Sequence, residues 1–298
     1  MSKSFKVAMI GLDTSHTIEF TKLIQGEAPA GQKVEGLEVV SCLRFPTPFQ
    51  NEEGQDTRQK QMEAWGVKVT RDLSQALEGV DGLLLEINDP AFHLGYFEKV
   101  AALGKPIFLD KPMASNMTEA RAIEALVKKH GVRVWSSSSL RFLKSLQGLL
   151  AQIPAAERKY ANVYGPLGQA PAGSSVTWYG VHTVEMLVAI MGVGARAVSA
   201  HQADSGITAT IVYDHGRRGV VELTNQLWLY GGRIIDGKGA RSFTHENETL
   251  YFNLLGQIAD FFLKGALPVP LSETLEVQAI LGAIDASLAA KGEVKVDR

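Results

Sequence analysis

The chain has 298 residues, enough for two domains that each bury a core, and its formal net charge of −2 offers no footprint for a nucleic acid. Its longest apolar stretches, such as Val80–Ile87, are interrupted by charge and too short to cross a bilayer, so no membrane partner is expected. A single cysteine, Cys42, rules out an internal disulfide and a cysteine zinc cluster; with no signal-peptide pattern around Lys3 and Lys6, a cytoplasmic protein is expected.

The first half alternates strand and helix signals. Lys6–Gly11 reads as a strand, followed by the capping residues Asp13, Thr14 and Ser15 and a helix over His16–Gln25. Leu37–Leu43 is the next strand. A loop with Pro46 and Pro48 leads to a polar helix ending near Trp65. A short strand at Lys68–Thr70 and a short helix at Leu73–Leu77 precede Val80–Ile87, a nearly continuous apolar strand of the kind covered on both faces. A helix over Phe92–Leu103, a strand at Pro106–Leu109, a helix over Thr118–His130 and a strand at Val132–Trp135 complete the series. This alternation predicts a doubly wound parallel sheet with ligands at the carboxyl ends of its strands. After about residue 140 the pattern changes. A helix over Phe142–Ile153 is followed by a hairpin, Ile207–Tyr213 and Gly219–Leu229, around Asp214–His215–Gly216. Strands at Arg233–Ile235 and Arg241–Thr244 and helices over Leu250–Lys264 and Glu273–Ala290 close the chain. The expectation is a Rossmann-like domain over residues 1–140 and an α+β domain over 141–298, built on an open, mostly antiparallel sheet.

Five stretches carry a resemblance in their order and spacing. They are Lys6–Phe20 at the dinucleotide-fingerprint position, Ile87–Ala114 with Asp110-Lys111-Pro112, Ser136–Leu146, Tyr179–Gly192, and the C-terminal run from Leu271. Together they resemble the glucose–fructose oxidoreductase and inositol dehydrogenase (Gfo/Idh/MocA) family over nearly the whole chain. The resemblance implies a two-domain oxidoreductase using NAD or NADP on a small-molecule substrate, and a homodimer or homotetramer formed through the second domain's open sheet.

Two places depart from that pattern. The fingerprint positions read Gly11-Leu12-Asp13-Thr14-Ser15-His16, so only the first glycine is present. Asp13 stands where backbone should approach pyrophosphate, and His16 replaces the glycine of helix–strand packing. The helix N-terminus and the Thr14 and Ser15 hydroxyls can still bind phosphate, or the segment is a capping cluster and nothing more. The second strand ends in Arg44 rather than an acid; its planar fork suits a 2′-phosphate and favours NADP, unless it is a solvated strand-end arginine. The second departure is Trp178, at the first Asp of the family's helix motif, where indole can neither accept a proton nor carry negative charge.

The resemblance places Lys111, His182 and Glu185 at the family's Lys, catalytic His and second Asp. It also sets His93 and Asp110 beside the cofactor, and Trp178, His182, Glu185 and Lys111 beside the substrate; Glu86 and Asn88, at the end of the strand before His93, are expected to face the same cofactor crevice. Each has a plainer reading: a loop lysine, a core histidine bonded to Glu185, a helix-start histidine. The leading expectation is hydride transfer from a sugar, polyol or related hydroxy compound, with His182 taking the hydroxyl proton and Lys111 stabilising alkoxide charge. One alternative is a non-redox binding or regulatory protein without the cofactor. Another is a metal-dependent lyase or hydrolase in which Asp13, His16, His93, His182 and Glu185 converge; the leading expectation has no metal.

Overall fold

The computed structural model describes residues 4–246 and 249–297. The chain packs into two units that interleave along the sequence. The first comprises residues up to Met113, Ala122–Ser136 and Tyr251–Pro270. The second comprises Ala114–Arg121, Ser137–Leu250 and the chain from Leu271 onward.

In the first unit the elements are β1 (Phe5–Ile10), α1 (Ser15–Gln25), β2 (Leu37–Leu43), α2 (Glu52–Ala64), β3 (Lys68–Thr70), α3 (Leu73–Ala76), β4 (Gly82–Leu85), α4 (His93–Val100), β5 (Ile107–Leu109), α5 (Met117–His130) and β6 (Val134–Trp135). Helix α5 starts in the second unit's first segment and ends in the first unit. The six strands form one sheet in the order β3-β2-β1-β4-β5-β6, with every neighbouring pair parallel. Strand order reverses beside β1, so the β1 and β4 carboxyl ends flank the crevice where such sheets bind ligands. The continuous apolar run expected around β4 is explained by burial of all four of its residues. Helix α1 begins because Thr14, in extended conformation, accepts a hydrogen bond from the His16 amide.

The second unit contains α6 (Lys144–Gln152), β7 (Tyr160–Pro166), α7 (Val181–Met191), β8 (Ala195–Ala203), β9 (Gly206–Tyr213), β10 (Arg218–Thr224), β11 (Gly231–Asp236), β12 (Gly239–Thr244), α9 (Leu271–Ala290) and β13 (Val294–Lys295); α8 (Leu250–Lys264) lies between β12 and α9 in sequence. Its seven strands run in the order β12-β11-β7-β10-β9-β8-β13. All neighbours are antiparallel except β7 and β10. Helices α7 and α9 cover one face, and α7 is buried almost all round. The other face carries the alternating outward residues, among them Thr208, Thr210 and Glu222.

Three local expectations change. Strands β7, β8 and β13 are absent from the sequence reading, and β7 is central in the sheet. Its signal is a short alternation, Ala161 and Val163 inward against Tyr160, Asn162 and Tyr164 outward, cut off by Gly165-Pro166. The hairpin's second arm stops at Thr224 instead of reaching Leu229. There β10 pairs with Pro166, which has no N–H to continue the ladder, and Leu227, Trp228 and Leu229 follow as exposed residues. Finally, the single cut near residue 140 gives way to interleaved segments. Helix α8 carries Leu254, Leu255, Ile258, Phe261 and Phe262 on its buried face, and that face completes the first unit's core. Phe262 stacks on Phe5 at 5.3 Å, and Phe261 meets the Trp135 ring edge-on at 6.2 Å.

Truncating Phe261, which is fully buried, to Ala is expected to cost about 3–5 kcal/mol, measured by urea unfolding. A fragment ending at residue 140 lacks α8 and is expected to show no cooperative melt. A sharp melt of that fragment would remove α8 from the first unit's core.

Candidate functional site

The crevice of the first unit is built by the turn after β1. Gly11 has φ +115°, and a Cβ on it would lie 2.1 Å from the Glu86 carbonyl oxygen, so only glycine fits. The chain then delivers Asp13 into a buried position. Its Oδ1 accepts from the Asn88 amide at 3.0 Å and its Oδ2 from the Thr47 hydroxyl at 2.8 Å, while Arg58 donates to the Leu12 carbonyl at 3.0 Å. Burial pushes the Asp13 carboxyl above its ordinary range, and these hydrogen bonds oppose that shift. Asp13 therefore braces the turn to the segment after β4 and to the loop after β2. Ser15, the first residue of α1, is exposed.

His16 also turns inward. Its Nδ1 is 3.0 Å from Asp110 Oδ1 and 3.5 Å from Glu86 Oε2, and its ring stacks on Phe20 and meets Tyr251 edge-on. Burial disfavours the imidazolium, but the charge and hydrogen bond of Asp110, with Glu86, outweigh it and raise His16 to about 9. Burial and the neighbouring Asp110 charge push the Glu86 carboxyl up. Burial acts the same way on Asp110, but His16, Lys111 and His93 outweigh it and hold that carboxyl below its ordinary range.

Lys111 follows Asp110 through a hydrogen bond from its own amide to Asp110 Oδ1 at 2.8 Å, and the Lys111–Pro112 bond is cis. The residue is buried, yet its ammonium has no hydrogen-bond or ion-pair partner among the described residues. His93 has a structural position: Nε2 lies 2.8 Å from the Ile87 carbonyl oxygen and Nδ1 3.2 Å from that of Met113, tying the chain after β4 to the chain after β5. Arg44 is not solvated. It is buried, with Nη1 bonded to Gln59 at 2.7 Å and Asp56 at 2.6 Å and Nη2 paired with Glu52. In the first unit, then, Asp13 and His93 turn to other partners, and His16 gathers instead with Glu86 and Asp110.

In the second unit, His182 lies in the first turn of α7, buried, with Nδ1 2.6 Å from Ser138 Oγ, which also accepts from the Leu140 amide. Its ring sits edge-on to Tyr179 at 5.0 Å. Glu185 is buried on the same helix and accepts from Arg141 Nε at 2.7 Å; the second arm of Arg141 reaches Glu273 at 2.5 Å. Burial raises the Glu185 carboxyl, against the Arg141 charge. The partner of His182 is thus Ser138, not Glu185. Trp178 lies in the π-helical turn Val176–Gly180 that leads into α7, half-buried against Tyr179. The stretch Ser136–Leu146 carries part of the resemblance, but sequence reasoning gives Ser138 and Arg141 no partner or role; the available signal is the run of four serines ahead of Leu140-Arg141-Phe142.

Residues 50–138 match the family model described as an oxidoreductase family with an NAD-binding Rossmann fold (Gfo/Idh/MocA). The solved structures show the same two-unit fold over the whole chain. GenD2 from gentamicin A biosynthesis, in complex with NAD, superposes with a TM-score of 0.81 at 16% identity, covering 100% of this chain and 98% of that one. The family match covers residues 50–138, and over the rest of the chain the likeness to GenD2 is one of fold. A myo-inositol dehydrogenase from Corynebacterium glutamicum gives a TM-score of 0.80 at 14% identity, over 99% of this chain and 100% of that one. A scyllo-inositol dehydrogenase from Lactobacillus casei with bound NAD(H) and scyllo-inositol gives 0.80 at 14%, over 99% of both chains. At these identities the likeness is one of fold. No curated protein matches the sequence.

Within this fold, both unusual side chains of the first turn, Asp13 and His16, point into the protein. The His16 shift fixes the sign of a pH effect. Its folded value lies above the ordinary 6.5, so the ion pair's stabilisation is fully present below pH 6.5 and is lost as pH rises through about 9. In metal-free buffer the difference in melting temperature between wild type and His16→Gln is expected to shrink across that window. A difference that stays constant would contradict the ion pair.

Proposed function

We propose that this chain is an NAD(P)-dependent dehydrogenase that oxidises a CH–OH group of a sugar, polyol or related hydroxy compound. The observation that carries the reading is Lys111: a buried lysine just past the carboxyl end of β5 whose ammonium makes no hydrogen bond or close ion pair among the described residues, although its charge acts on Asp110 and Glu86. The dinucleotide fits the residues present. The glycine turn at Gly11 is kept, Asp13 and His16 are engaged in internal hydrogen bonds, and the first turn of α1 with exposed Ser15 offers amides and a hydroxyl to pyrophosphate. The nicotinamide supplies hydride exchange with a hydroxyl-bearing carbon.

Lys111 is assigned the developing alkoxide charge, which its unpaired ammonium can stabilise in a site of low dielectric. His182 is assigned the hydroxyl proton, taken at Nε2. Ser138 suits His182 to act as the base, because its oxygen can accept from both the Leu140 amide and Nδ1–H and so leaves the lone pair on Nε2. Trp178 replaces a carboxylate with an aromatic face, and a pyranose or cyclitol ring presents C–H groups that stack on such a face. Arg44 argues for NAD over NADP, because Glu52 and Asp56 already hold the guanidinium and would oppose a 2′-phosphate.

Titration of cofactor-stripped protein with NADH and NADPH, followed by tryptophan fluorescence and melting temperature, is expected to show NADH binding more tightly. At about 100 times its dissociation constant the ligand should stabilise the fold by about 2.7 kcal/mol. Tighter NADPH binding would mean that Arg44 leaves its acidic partners, and binding of neither would sink the dehydrogenase reading. Once a substrate is found by screening polyols, His182→Ala is expected to lower kcat by about 10²–10⁴-fold, with KM changed far less.

A further inference from the structure

The cluster under the α1 N-terminus leaves buried carboxylate oxygens without partners. Glu86 is fully buried, and neither of its carboxylate oxygens has a hydrogen-bond partner among the described residues; Asp110 Oδ2 has none either. One imidazole, His16, serves both carboxylates. Burying a carboxylate without satisfying its oxygens is costly, and the cost is relieved when the group is paired, protonated or bound to a metal. Here three chain segments far apart in sequence bring these groups together: the first turn of α1 and the ends of β4 and β5.

Two of the three spacings match those of a coordination shell. The nitrogen–oxygen separations are 3.0 and 3.5 Å, and one ligand atom from each residue lies within 4.8 Å of the others. Ligands held at about 2.0–2.2 Å from one ion in tetrahedral or octahedral geometry are about 3.0–3.5 Å apart along the polyhedron edges. We propose that His16, Glu86 and Asp110 form a site for one divalent ion of the zinc class. An imidazole and two carboxylates are a borderline-to-hard donor set suited to zinc or manganese, and three protein ligands leave a coordination position for a small molecule or water. The ion would take over the share of the charge balance that His16 supplies beside Lys111, with Nδ1 as a ligand instead of a proton donor. The charge of nearby Lys111, which acts on both carboxylates, opposes a bound cation.

The test reads metal and not activity. Tag-free protein is stripped with chelator, dialysed and titrated with zinc, manganese and magnesium chlorides by calorimetry, with melting temperature as a second readout. One zinc per chain at micromolar or tighter affinity, with a raised melting temperature, is expected; magnesium should bind more weakly. Glu86→Gln keeps the side-chain volume and should weaken zinc binding by about 100-fold or more, whereas His201→Ala, an exposed histidine on β8, should leave it unchanged. Folding of each variant is checked by circular dichroism. If Glu86→Gln does not fold, the wild-type titration decides by itself. Stripped wild type that takes up no zinc overturns the site, as does a folded Glu86→Gln that binds like wild type. The titrations contain no dinucleotide, so failure of NADH binding leaves this result untouched.

Discussion

The first unit is organised by the close approach of the turn at Gly11 to the end of β4. With the backbone pressed against the Glu86 carbonyl, the side chains of Asp13 and His16 turn inward, into the space between strand ends, while Ser15 stays exposed. Asp13 and His16 occupy that space, and each is tolerated because polar partners meet it there: the Asn88 amide and Thr47 for one, Asp110 and Glu86 for the other. Side chains in place of two fingerprint glycines therefore do not undo the fold. They convert a loop that is mostly backbone into a small buried polar network, whose members depend on one another because a half-satisfied network in low dielectric is worse than none.

The second unit shows a related dependence. Arg141 is buried between Glu185 and Glu273, joining the segment before α6 to α7 and α9. Such an ion pair is weak evidence for stability, since desolvation consumes much of the Coulombic gain. Its contribution is directional. Removing Arg141 strands the buried Glu185 charge, so the helix that carries His182 is held in one register relative to the turn that carries Ser138.

Much of this fold is legible in the sequence, for physical reasons that differ by element. The parallel sheet is legible because both-face burial forces continuous apolar runs, as in β4, and because glycines stop helices, as Gly104 and Gly131 do with positive φ. β7 is hidden because a strand can be central with only two inward residues when its neighbours supply the rest. At the site, residue types and their strand ends are readable, since topology sets where they emerge. Partners are not. Nothing in the spacing of His182 and Glu185, one turn apart on α7, reveals that each bonds to a different residue of the segment Ser138–Arg141. Arg44 likewise reads as a free cation until α2 folds back and presents Glu52 and Asp56.

The return of the chain to the first unit through α8 also has a temporal side. During synthesis, the sheet strands through β6 emerge well before Tyr251–Pro270, which lie roughly a hundred residues further on. At the usual rate of elongation the gap lasts on the order of 10 s, long compared with hydrophobic collapse. Throughout it Phe5 and Trp135 lack their aromatic lid, and the nascent sheet presents an oily face to water or to a chaperone. The first unit thus becomes native late, when the C-terminal part of the chain leaves the ribosome.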